Sequence, residues 1–259
     1  MRRRTRFVLG ALLLAVVPVG SSPLAAAATN APIQVLHRAD GSVTSTNWSG
    51  YAVADETFTS VQGGWVEPSA TCTSTNSAAA FWVGIDGYDS DSVEQLGTDA
   101  DCSGGSPSYY AWYEMYPAAS VTLSKSSYPV TPGDHLAARV VANGSQYTLA
   151  MRDTAASGGV RWTFQTTQSS TVATDASAEW VAEAPSECLI IVCRVLPLTD
   201  FGSVTFVGAQ ATGNGAFGPI SSFSDNNSIT METSGGTVKA SPSGLNSTGM
   251  SFTSTWHSS

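Results

Sequence analysis

Gln95 stands where a glutamine could do chemistry. The segment from Phe81 to Pro117 reads FWVGIDGYDSDSVEQLGTDADCSGGSPSYYAWYEMYP, and it gathers Trp82, Trp112, five tyrosines and several carboxylates around that one amide. A glutamine side chain donates and accepts hydrogen bonds, so it can polarise a carbonyl or hold a water. It has no proton to lose, so it keeps doing so at low pH. The acid–base groups that could serve beside it are carboxylates. In Ala178-Glu179-Trp180-Val181-Ala182-Glu183 a strand would place Glu179, Val181 and Glu183 on one face. In Trp112-Tyr113-Glu114-Met115-Tyr116, Glu114 would stand between two aromatic rings, as in a substrate groove.

Other hydrolytic chemistries fit poorly. The chain has three histidines, His37, His135 and His257, and neither a GxSxG nor an HExxH motif. The Asp-Thr-Gly and Asp-Ser-Gly signatures of pepsin-like enzymes are also missing. No CxxC pair or clustered histidine marks a metal, so neither metal nor cofactor is expected.

Antiparallel strands are expected to carry these groups. Leu136, Ala138, Val140 and Ala142 share a face before an Asn143-Gly144 turn. Tyr147, Leu149 and Met151 alternate with Thr148, Ala150 and Arg152, and Val160, Trp162 and Phe164 with Arg161, Thr163 and Gln165. Further strands are expected at Gly63–Val66, Ala79–Ile85, Ser108–Tyr116, Ala178–Glu183, Ser203–Ala209 and Ser251–Trp256. No amphipathic helix is convincing. Many short strands without helices read as an all-β sandwich or barrel.

The ends and the charge set the context. Arg2, Arg3, Arg4 and Arg6 precede an apolar run and the small residues Ala25 to Ala28, so residues 1–28 read as a secretory signal. Residues 29–45 read as a short propeptide or flexible N-terminus, and 46–259 as one domain. Beyond residue 28 seven Lys and Arg face twenty Asp and Glu, a net of about −13. That balance excludes nucleic acid and anionic membranes as partners, and a monomer is the default. Four cysteines in an exported chain point to disulfides. Three pairings are open. Cys188–Cys193, closing a short loop, and Cys72–Cys102, closing the region around Gln95, are preferred.

The chain resembles the eqolisins, the secreted glutamic peptidases. Asn47-Trp48-Ser49-Gly50-Tyr51, Gly64-Trp65-Val66-Glu67-Pro68, Trp82-Val83-Gly84-Ile85-Asp86-Gly87 with Val93-Glu94-Gln95-Leu96-Gly97, Ala111 to Pro117, Ala178 to Glu183, and Asp200 to Phe206 occur in the family's order. The resemblance implies a β-sandwich of two large antiparallel sheets with concanavalin A-like architecture. It also implies an acid-acting endopeptidase whose catalytic dyad is Gln95 and Glu183. Trp82, Asp86, Trp112 and Glu114 match positions that line or support the cleft. Glu179 lies one strand repeat before Glu183 in the same block. Tyr110 stands where fungal members carry an acid. In this scheme Glu183 activates water as a base and then returns the proton as an acid, while Gln95 stabilises the oxyanion. At about 4.3 a glutamate keeps an ionised fraction in mild acid, whereas a histidine at about 6.5 is fully protonated. Two other classes use the same residues. One is a glycoside hydrolase pairing Glu179 or Glu114 with Glu183, and the other is a non-catalytic lectin-like binder.

Overall fold

The computed structural model describes residues 35–38, 42–189 and 192–259. The expected secretory signal at 1–28 lies outside them. The longer strands are β1 (Trp48–Ala54), β2 (Phe58–Val66), β3 (Ala80–Ile85), β4 (Val93–Ser103), β5 (Ser106–Tyr116), β6 (His135–Asn143), β7 (Gln146–Thr154), β8 (Val160–Ser169), β9 (Ala178–Glu183), β10 (Ser203–Gly213), β11 (Asp225–Glu232), β12 (Val238–Pro242) and β13 (Phe252–Trp256). Among the described residues the one helical element is a single 3-10 turn at Ile220–Ser222.

Two antiparallel sheets form a sandwich. The first runs β11–β1–β9–β3–β4–β5 and the second β8–β7–β6–β2–β10–β13. β12 bonds to β11 on one side and β13 on the other, so the sheets join along one edge. The short strand Val43–Ser45 pairs parallel to Ile229–Met231 and is buried.

The alternation read in the sequence decides the layers. Phe81, Val83, Leu96 and Trp180 from the first sheet meet Trp65, Val140, Leu149 and Phe206 from the second in one buried core. The Trp180 indole crosses the gap and donates to the Gln62 carbonyl at 2.8 Å, which satisfies a polar group the core would otherwise orphan. Several strands extend beyond their expected bounds. β2 begins at Phe58 and β10 ends at Gly213, because register with a neighbour continues a strand where Ser, Thr and Gly hide its period. Cys72 and Cys102 form a disulfide that ties a loop to the far end of β4. Cys193 is disulfide-bonded and lies opposite Cys188 in a small ribbon, and the side chain of Cys188 is outside the described residues.

Carboxyl groups are buried with the apolar ones. Glu67 accepts a hydrogen bond from the Thr98 hydroxyl at 2.6 Å, yet burial pushes its carboxyl up to about 8. Burial, with the charge of Asp86, lifts Glu94 to about 8, and burial lifts Asp153 to about 6. A carboxyl raised on folding stays protonated in the native chain while the unfolded chain ionises. Its stabilising contribution is therefore complete below the ordinary carboxylate range and is lost as pH rises toward the folded value. Denaturant melts from pH 4 to pH 8 should show the unfolding free energy falling, by about 1.4 kcal/mol per pH unit for each group while pH lies between its ordinary and its raised value. Glu67→Gln should flatten that slope.

Candidate active site

β9 lies between β1 and β3 and is buried on both faces. Ala178, Trp180 and Ala182 face the core. Glu179, Val181 and Glu183 face the other way, onto the outer surface of the first sheet. The register carries that surface across the neighbouring strands. Val181 lies opposite Trp82, Trp82 opposite Gly97, and Gly97 opposite Trp112. One strand repeat to one side, Glu179, Gly84, Gln95 and Glu114 form a row. One repeat to the other side, Glu183, Ala80, Asp99 and Tyr110 form another. Gly97 leaves room for the two indoles beside it, since a Cβ there would fall 2.6 Å from Cβ of Trp82.

Gln95 and Glu183 thus share one face on opposite sides of Trp82, and both are fully buried. The Trp82 indole donates to Glu183 Oε2 at 2.8 Å, and the Asn47 amide donates to Oε1 at 3.1 Å. Asn47 is held in turn by the Ser45 hydroxyl at 3.1 Å, and Trp48 packs edge-on against Trp82 at 4.7 Å. Burial pushes the Glu183 carboxyl up to about 8; Trp82 and Asn47 hold it down, and the charge of Glu114 lifts it further. The expectation of an ionised fraction in mild acid used the ordinary carboxylate range. Burial shifts that balance toward the protonated form of Glu183. The Gln95 amide donates to Glu114 Oε2 at 2.7 Å, which fixes the side-chain flip and leaves Gln95 Oε1 without a partner.

Glu179 is level with Gln95 but is differently surrounded. Burial drives its carboxyl well above the usual range, with the charges of Asp86 and Glu94 adding to the effect. Asp86 supports the backbone. Held at φ 71°, it accepts bonds from the backbone N–H groups of Thr174, Asp175 and Ala176 and from the Thr174 hydroxyl, at 2.7 to 2.9 Å. It thereby clamps the segment that leads into β9. Tyr110 donates its one hydroxyl proton between Asp99 Oδ2 and Asp101 Oδ2, both at 2.8 Å, so one of the two carboxyls must hold a proton of its own. Sequence reasoning missed Asn47 as a partner of Glu183 and Ser45 as the group that holds Asn47. The only signal was the block Asn47-Trp48-Ser49, read for the family and not for chemistry.

Residues 46–254 match the model of the peptidase A4 family. The chain belongs to that family. It is 29% identical over 193 residues to aspergillopepsin-2 of Aspergillus niger, a match covering 66% of each chain, so it spans about two thirds of that protein's length. It is 28% identical over 187 residues to scytalidopepsin B of Scytalidium lignicola, covering 71% of this chain and 70% of the other. Scytalido-glutamic peptidase with a transition-state analog inhibitor superposes with a TM-score of 0.69 at 22% identity, over 82% of this chain and 98% of that one. Aspergilloglutamic peptidase from Aspergillus niger superposes with a TM-score of 0.56 at 28% identity, over 70% and 99%. The expected sandwich is the fold of these structures. Family membership places the chain among peptide hydrolases, and the glycoside-hydrolase and lectin-like readings are not favoured.

If Asp86 anchors the entry to β9, Asp86→Ala should destabilise the fold by about 3–5 kcal/mol in denaturant melts, since a buried acceptor of several bonds is lost. Asp89→Ala, on the exposed loop nearby, should stay within about 0.5 kcal/mol.

Proposed function

We propose that the chain is an exported, acid-acting endopeptidase whose reaction is carried by Gln95 and Glu183, working as a monomer on protein or peptide substrates without a cofactor. The signal-like pattern at 1–28 supports export. Among the described residues no helix is long and apolar enough to cross a membrane. The observation that carries the reading is the pairing of a buried carboxyl that has an N–H donor on each oxygen with an amide whose oxygen is unpartnered, on one face of one sheet. Glu179 has the burial of Glu183 but not the two amide-type donors that steady a carboxyl through changes of charge. It is therefore not the acid–base group.

The proposed chemistry takes Glu183 in the neutral form that burial favours. A neutral carboxylic acid donates from one oxygen and accepts on the other. The substrate water is held by Gln95 Oε1, and the remaining Gln95 N–H reaches the scissile carbonyl oxygen. As the water oxygen bonds to the carbonyl carbon, its proton passes to one Glu183 oxygen while the proton of the other moves to the carbonyl oxygen. Glu183 stays neutral through the addition. In the second step it gives a proton to the departing amine nitrogen as the C–N bond breaks and takes one from a hydroxyl of the intermediate. Trp82 and Asn47 steady the carboxyl while its proton changes sides.

Casein hydrolysis at pH 3–5 tests the assignment. Gln95→Ala should lower kcat by about two to three orders of magnitude, about the cost of losing a positioned donor to the reacting carbonyl. Glu183→Gln should abolish turnover, whereas Glu179→Gln should remain within about tenfold of the parent. Near-normal activity in either dyad variant would sink the reading.

The pH profile tests the protonation. A group that works in its protonated form, and whose carboxyl burial holds above the ordinary range, gives kcat/KM that falls as pH rises out of the acid range. Trp82→Phe removes a donor that holds the carboxyl down, so it should move this limb to higher pH and lower activity about tenfold or more. An ascending limb in the same range would show that Glu183 works as a carboxylate instead.

A further inference from the structure

We propose that the outer face of the second sheet is a binding groove for a linear, carboxylate-bearing polysaccharide. The groove has a volume of about 1050 Å3 and crosses β10, β2, β6, β7 and β8. It lies on the opposite side of the sandwich from Gln95 and Glu183, so it is no part of the cleft described above. Its charge is the reverse of the chain's. Twenty Asp and Glu occur in the sequence, and none lines this groove, while Arg139, Arg152 and His135 do.

The two arginines are set together by register. Arg139 pairs with Ala150 and Arg152 with Ala137, so they are diagonal neighbours on adjacent strands, about 7–8 Å apart at the backbone. Both are exposed, and neither is in an ion pair. Arg38, Arg161 and Arg194, by contrast, each pair with a carboxylate. Two unneutralised guanidinium groups side by side repel each other and match successive carboxylates of an extended polyanion.

The rest of the lining favours sugar over peptide. Gln62, Gln165, Thr163 and Thr205 offer amides and hydroxyls suited to hydroxyl-rich rings. Val66 and Val207, 44% and 50% exposed, give apolar patches for the C–H faces of those rings. Gly64, Ala137 and Ala150 add little bulk to the floor.

The test is isothermal titration of the secreted chain at pH 5 with oligogalacturonate, its methyl ester, and poly-L-glutamate of matched length. Oligogalacturonate should bind. Arg139→Gln and Arg152→Gln should each weaken that binding about tenfold, and the double variant about a hundredfold. Casein hydrolysis and Tm of these variants should be unchanged, which shows that they fold and that the face is separate from the cleft. The methyl ester should bind at least tenfold less tightly than the free acid. Binding that the arginine variants leave intact, no binding of oligogalacturonate, or equal affinity for the ester would overturn the proposal. So would equal affinity for poly-L-glutamate, which would make the face an acidic-peptide site instead.

Discussion

Keeping Glu183 out of water is the constraint on which the rest of the architecture turns. A buried carboxyl is costly unless it stays neutral or finds donors. Both remedies are present. Trp82 and Asn47 supply the donors, and burial keeps the proton on. Those donors can sit where they do only because β9 is held from both sides. β1 brings the chain past Asn47, and β3 brings Trp82 into the neighbouring row. The other face of β9 must then contribute to the hydrophobic core, and Ala178, Trp180 and Ala182 do. The central strand therefore links core and site, so a change in packing on one face reaches the carboxyl on the other.

The same logic extends beyond the site. Glu67, Glu94 and Asp153 are also buried with raised carboxyls. In neutral water each would oppose the fold, whereas in acid each is an uncharged polar group with modest demands. Stability and the protonated form of Glu183 then share one pH range. A histidine in place of Glu183 would be charged in that range and could not remain buried without a partner.

Much of this was legible in the residues. Alternation exposed β6, β7 and β8 because their two faces differ sharply, as in Leu136, Ala138 and Val140 against Ala137 and Arg139. β4 was harder to read as a strand. It carries Gln95 and Asp99 on the outer face and Glu94 and Thr98 on the inner, so both faces look polar. The shared face of Glu179 and Glu183 follows from a period of two, but their burial does not, because it depends on what the neighbouring strands lay over them. Asp86 was read from the family block as lining or supporting the cleft. Its bonds to residues 174–176 cross about ninety positions of chain, which no local pattern encodes. The adjacency of Arg139 and Arg152 likewise needs the register of β6 on β7.

Tyr110 shows how the scheme accommodates a change. Fungal relatives are expected to carry an acid there, which would bring a third carboxyl beside Asp99 and Asp101. The phenol instead donates its proton to one carboxyl and accepts one from the other, which is protonated. Burial and both neighbours drive that phenol far above its ordinary range, so it does not ionise in their company. Burial lifts Asp99 well above the usual carboxylate range, and the charge of Asp101 adds to it. The cluster therefore keeps its shared proton in the acid range where Glu183 is neutral. Lys125, over the Tyr110 ring at 4.9 Å, offsets the charge that remains. Glu183 lies in the same register row and adds to the lift on Asp99, so proton loss at either group raises the cost of proton loss at the other. The titrations of Asp99 and Glu183 are therefore linked along that row.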